Sequence, residues 1–241
     1  MSIDIREYQQ YPIFGAMIEL NDALVKRNAG PITLNAVGGF ALMVTGTRDK
    51  NELTDVDYVG EDLPELVAKV SDRIGIKYGL GKSWINNDIM LAGMDMEDFE
   101  LATGKLHFLE AFCLEKISVN VLIPEDLLRL KVIAVDTALS AIGNGEDFTR
   151  MKDFKDIMKL ADKLGLSMED VEEKYSEYTI NTQTMDALKI YKELGMQGVQ
   201  QMVDRIQLEY QKAKVEKNNY VTSSFIESVL KQARDRLNSE R

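Results

Sequence analysis

Cysteine occurs once in this 241-residue chain, at Cys113, so no intramolecular disulfide can form and a scaffold stapled by covalent bridges is excluded. The neighbours of the thiol in Ala111-Phe112-Cys113-Leu114 are apolar, so we expect a buried small hydrophobe rather than a nucleophile. Histidine also occurs once, at His107, which excludes a histidine-based metal centre. Its strand-like neighbours Leu106 and Phe108 favour a structural role. Basic residues are in deficit, 29 against 40 acidic ones, for a net charge of −11. A whole-protein field of that sign repels a polyanion and argues against broad nucleic-acid binding. No run of the sequence is long and apolar enough to cross a bilayer. The opening MSIDIREYQQ lacks the basic-then-apolar order of a secretion signal, so a cytoplasmic location without a membrane anchor is expected.

What the chain has in quantity is a mixture of 45% hydrophobic and 29% charged residues, the balance of a folded globular protein. Ile13, Met17, Leu20 and Leu24 recur at helical spacing over residues 12–26, and Asn28-Ala29-Gly30-Pro31 stops the helix. Residues 32–37 read as a strand that runs into Gly38-Gly39 and a following helix. A helix is expected over 63–74, connecting chain over 75–88 with Trp84 packed on the core, and strands over 105–114 and 116–123. Pro124 ends the last of these strands. Beyond it helical patterns dominate, over 125–141, 148–164, 168–178, 185–210 and 221–237, with a loop at 143–145 and Ser167 and Asp170 spaced as an N-cap pair. The expected fold class is α+β: residues 1–124 form a core around a small mixed β-sheet with flanking helices, and 125–241 form a mostly helical C-terminal domain.

The residues that can carry chemistry lie in the first half. Gly38 and Gly39 remove side-chain bulk where a strand meets a helix, so backbone N–H groups there can approach phosphate oxygens. Strand alternation through Asp55-Val56-Asp57-Tyr58-Val59 puts Asp55 and Asp57 on one side. Two carboxylates so placed suit Mg²⁺, which bridges acidic side chains to phosphates and offsets the acidic field locally.

The order VGGFALMVTGTRDKNELTDVDYV resembles the signature of the DNA polymerase β-like nucleotidyltransferase superfamily: a Gly-Gly turn, a helix and an Asp-x-Asp strand. The chain is most similar to the bacterial nucleotidyltransferase-like proteins grouped with the AbiEii toxin relatives. The segments PEDLLRLKVIA and TRMKDFKDIMKLADKLG look like the helical part of those proteins, and the likeness spans residues 37–164. The resemblance implies a nucleotidyltransferase core in which Gly38 and Gly39 contact the phosphates of an NTP and Asp55 and Asp57 coordinate Mg²⁺. Arg48 and Lys131 would neutralise phosphate, and Asp153 and Asp156 would position Lys131 or Arg48. Members of the superfamily usually add a third carboxylate from a later strand. In the strand ISVNVLI that place falls to Asn120, which can serve neither as a general base nor as a charged ligand; Glu110 is the substitute candidate, with Glu115 behind it.

Two functions follow as expectations. The first is Mg²⁺-dependent transfer of a nucleoside monophosphate from an NTP to a hydroxyl of a small molecule, RNA or protein, in a toxin-antitoxin or defence setting. The second is a catalytically inactive nucleotide-sensing or protein-interaction module on the same fold. Against the sharper roles stand plainer ones: Lys152, Asp153, Lys155 and Asp156 as a salt-linked helix face, and Trp84 and the tyrosines as core. Met185, Met196 and Met202 read as helix packing, or as an interface for a second copy or a cognate protein.

Overall fold

The computed structural model describes residues 3–49, 54–89, 96–142, 148–180 and 183–215; the loop expected at 143–145 and the helix expected over 221–237 lie outside them. The chain divides into two compact units, Met1–Leu127 and Leu128–Arg241. The fold is α+β with a five-stranded mixed sheet in the first unit.

In the first unit, helix α1 (Pro12–Lys26) opens with proline at its first turn, where the missing N–H costs nothing. Its apolar residues Ile13, Phe14, Met17, Leu20 and Leu24 are buried, each worth about 1.5–3 kcal/mol relative to exposure. Strand β1 (Ile32–Ala36) buries Ile32, Leu34 and Ala36 and turns Thr33 and Asn35 to the other face. It leads into α2 (Gly38–Val44), and the chain turns at the glycine pair as it enters that helix, Gly38 having φ +58°. Strand β2 (Val56–Val59), helix α3 (Glu65–Lys77), β3 (Ile85–Asn86), α4 (Met96–Thr103), β4 (Phe108–Cys113) and β5 (Ile117–Leu122) follow. The sheet order is β3-β2-β1-β5-β4. The central pair β1 and β5 is parallel, while β2 and β4 run antiparallel to β1 and β5 respectively.

Two expectations about this unit are corrected. Helix α3 continues through Gly75 to Lys77 instead of stopping at residue 74. A Cβ on Gly75 would collide with the Gly81 carbonyl oxygen and with Trp84 Cδ1, so glycine is present for close approach and not as a helix stop. Buried Trp84 then donates Nε1–H to the Ser71 carbonyl at 2.9 Å. The segment 75–88 is also not all connection, because Ile85 and Asn86 pair parallel with β2. A strand of that length leaves no periodicity to read.

In the second unit, α5 (Pro124–Ile142), which begins at the end of the first, is followed by α6 (Met151–Leu164), α7 (Met168–Tyr175) and α8 (Gln183–Val215). Helix α6 starts at Met151, later than the expected 148, and buries Phe154, Ile157, Leu160 and Ala161. Gly165 ends it at φ 67°, the left-handed cap that glycine takes without strain. Ser167 and Asp170 form a capping box at the start of α7. The helix expected over 185–210 is interrupted: Gly195 has φ 66° and ψ −159°, a combination essentially restricted to glycine.

Candidate functional site

The carboxyl ends of β1 and β5 and the amino ends of β2 and β4 share one end of the sheet, as their registers require. At that end Val37 N–H donates to the Asp57 carbonyl at 2.8 Å, which fixes the start of β2 against the β1–α2 junction. Val56 and Tyr58 are buried, and Asp57 between them is part-exposed with Asp55 exposed just before the strand. Burial pushes the Tyr58 phenol up, with repulsion from Asp62 adding to it; its hydroxyl donates to the Glu61 carbonyl at 3.0 Å.

Gly38 has φ +58°, and a Cβ built on it would lie 2.5 Å from Asp57 Oδ2. The second carboxylate of the Asp-x-Asp pair is therefore seated against the first residue of the glycine pair. Gly39 follows it in α2. Arg48, part-buried, comes after α2 and donates its backbone N–H to the Leu42 carbonyl at 3.2 Å.

Across the sheet, direct cross-strand partners line up as Val59, Asn35, Asn120 and Glu110. Opposed residues share a face, so Glu110 stands beside Asn120, exposed, on the edge strand. Asn120 Nδ2–H donates to Asn35 Oδ1 at 2.9 Å. A pair of carboxamides thus occupies the middle of this face.

Lys131, Asp153 and Asp156 meet in the second unit. The Lys131 ammonium is 2.5 Å from Asp153 Oδ1 and 3.5 Å from Asp156 Oδ2. The Asp153 side chain is fully buried, and half-exposed Arg150 approaches its other oxygen at 3.7 Å. This ion cluster joins α5 to α6 instead of forming a solvated helix face.

One side chain differs from expectation. Cys113 is exposed, its Sγ 3.2 Å from Ser118 Oγ. A register shift between Glu110 and Phe112 makes Phe112 the partner of Val119 and takes Cys113 off the core face. His107 is exposed too, and its imidazole Nδ1 lies 2.9 Å from Oδ2 of the buried Asp126. Nothing local marks this pair, whose members stand 19 residues apart.

An open groove of about 560 Å³ is lined by Arg6, Asn21, Lys26, Phe112 and Cys113 among others. It adjoins the carboxyl end of β4, the opposite end of the sheet from Asp57. Among the described residues no group of three or more His, Cys, Asp or Glu side chains stands ready to hold a metal. Asp55 and Asp57 would supply two carboxylates, which fits Mg²⁺ bound largely by water and substrate phosphates. No helix of the described residues is long and apolar enough to cross a membrane. No protein-family model, curated protein or solved structure matches the chain.

Proposed function

We propose that the chain carries a nucleotidyltransferase-type core that binds an NTP with Mg²⁺ at the end of the sheet where β1 gives way to α2, and that it passes the nucleoside monophosphate to a hydroxyl acceptor. The observation that carries the reading is the seating of Asp57 against Gly38. It joins the two halves of the Gly-Gly and Asp-x-Asp motif at one place, beyond the carboxyl ends of the central parallel strands, where open sheets of this kind commonly bind ligands.

In this reading the backbone at Gly38 and Gly39 admits the phosphates without side-chain interference. Asp55 and Asp57 hold Mg²⁺, which when bound neutralises phosphate charge and polarises the α-phosphoryl group. Arg48 supplies a further positive charge within the same unit. The acceptor oxygen attacks the α-phosphorus and pyrophosphate leaves. Lys131 is already ion-paired with Asp153 and Asp156, so its part is to hold α5 against α6. A toxin-antitoxin or defence role, in the cytoplasm and with a cognate protein partner or second copy bound through the C-terminal helices, belongs to this proposal by resemblance alone.

A second reading, nucleotide sensing without turnover, is favoured by one observation. The central strand β5 presents Asn120, tied to Asn35, and a carboxamide provides neither the charge nor the basicity of a carboxylate.

Calorimetry with each of the four NTPs, with and without Mg²⁺, tests the site on the intact chain and on Asp55→Ala/Asp57→Ala. Mg²⁺-dependent binding that disappears in the double variant is the expected result. Failure of the intact chain to bind any NTP would sink both readings.

A further inference from the structure

On the face of the sheet that carries Asp57, the nearest polar side chain of the neighbouring strand is Asn35. Its direct partner on β2 is Val59, which is buried. Asp57, two residues before Val59, is therefore the diagonal neighbour of Asn35, about 7–8 Å away. Asn120 stands directly beyond Asn35 on β5 and donates Nδ2–H to Asn35 Oδ1 at 2.9 Å. That bond ties the two carboxamides into a unit and uses one donor and one acceptor. It leaves Asn35 Nδ2–H and Asn120 Oδ1 for a third party, on side chains that are only half-buried. Thr33 and Ser118, opposed one row along the same face, add two hydroxyls.

None of the five strands contains a lysine or an arginine, and their only carboxylates are Asp57 and Glu110. Glu110 is exposed and directly beyond Asn120. A phosphodiester crossing this face would find no cation on the strands and would be repelled by Glu110 as well as by the net charge of −11. Uncharged hydroxyls, which both donate and accept, match the N–H and carbonyl groups of the carboxamide pair. Phosphoryl transfer also sets the direction of approach, because the attacking and leaving oxygens lie roughly in line through the phosphorus. With the phosphates at Gly38 and Gly39, beyond the end of β1, the hydroxyl arrives from the opposite side, over β1 and β5.

We propose that Asn35 and Asn120 bind the hydroxyl substrate and that this substrate is an uncharged polyol of the sugar class, an inference that rests on the nucleotidyltransferase reading. One hydroxyl oxygen of the bound polyol forms a bond to the α-phosphorus. The bond from the α-phosphorus to the α,β-bridging oxygen breaks, pyrophosphate leaves with the electron pair, and the hydroxyl proton passes to water. A carboxamide does not take that proton; the pair positions the polyol and selects it over a polyanion.

The test measures pyrophosphate release by the intact chain with Mg²⁺ and whichever of the four NTPs binds by calorimetry. Glucose, N-acetylglucosamine and sorbitol serve as neutral polyols, bulk RNA and casein as the competing classes. Release is expected with at least one polyol and not with RNA or casein. Asn35→Ala and Asn120→Ala should each raise the KM for that polyol about tenfold, the loss of one hydrogen bond. Calorimetry should find NTP affinity unchanged in both, which shows that the variants fold; a merely structural role would not confine the effect to the polyol. Bound NTP with release only from RNA or casein, bound NTP with release from none of the five, or an unchanged polyol KM in both variants would each overturn the proposal while the nucleotide site stands. Absence of NTP binding would instead remove the reading beneath it.

Discussion

Asp57 Oδ2 occupies the space that a side chain on Gly38 would need, 2.5 Å from the position of its Cβ, and Gly38 itself has φ +58°. Two independent costs therefore fall on any substitution of this glycine: the left-handed backbone and the displacement of the carboxylate.

Gly38→Ala is expected to destabilise the chain by about 1–2 kcal/mol from the backbone alone, seen as a lower urea midpoint. It should also weaken Mg²⁺-dependent NTP binding, because Asp57 must move. Parental stability and affinity in Gly38→Ala would show that neither the conformation nor the close approach matters.

Lys131 lies between Asp153 and Asp156 with little exposure, and Asp153 is fully buried. Removing one member of a buried ion pair strands the others, at a typical cost of about 3–5 kcal/mol. Lys131→Met should approach that loss in equilibrium unfolding. The double variant Lys131→Met/Asp153→Leu should recover part of it, since the buried charge is removed together with its partner. Arg150, half exposed and 3.7 Å away, is too solvated to substitute for the lysine.

The capping box of α7 predicts an acid-sensitive helix. Hydrogen bonding from the Ser167 backbone, and then from its hydroxyl, holds the Asp170 carboxyl below its ordinary value of 3.8. A carboxyl lowered on folding contributes stability above its unfolded value and loses it as pH falls through the lowered folded value. Asp170→Asn should therefore have a lower Tm than the parent at pH 7, and the gap should close as the pH is taken below 3.8. A gap of constant size across that range would exclude the carboxylate as its source.

The spacing of Ile13, Met17, Leu20 and Leu24, the helical run that follows the strand stop at Pro124 and the Ser167–Asp170 cap were readable because each depends on residues within a few positions of one another. Local chemistry of that range also marked the Gly-Gly and Asp-x-Asp segments as candidate site residues. It misplaced Cys113, whose exposure depends on a register shift against β5, and it read a single helix through Gly195, where a glycine-only conformation breaks the path.

The sequence by itself determined the α+β class, the helical second half and the residue types from which a phosphate-and-metal site can be built, since composition, period and turn chemistry are properties of short segments. Only the tertiary structure decided which of those residues meet. The Asn120–Asn35 bond spans 85 positions, the Lys131–Asp153 pair 22 and the His107–Asp126 pair 19. Such pairings follow from strand register and helix packing, where a one-residue slip turns every side chain of a strand to the other face. No local pattern in the chain records that choice.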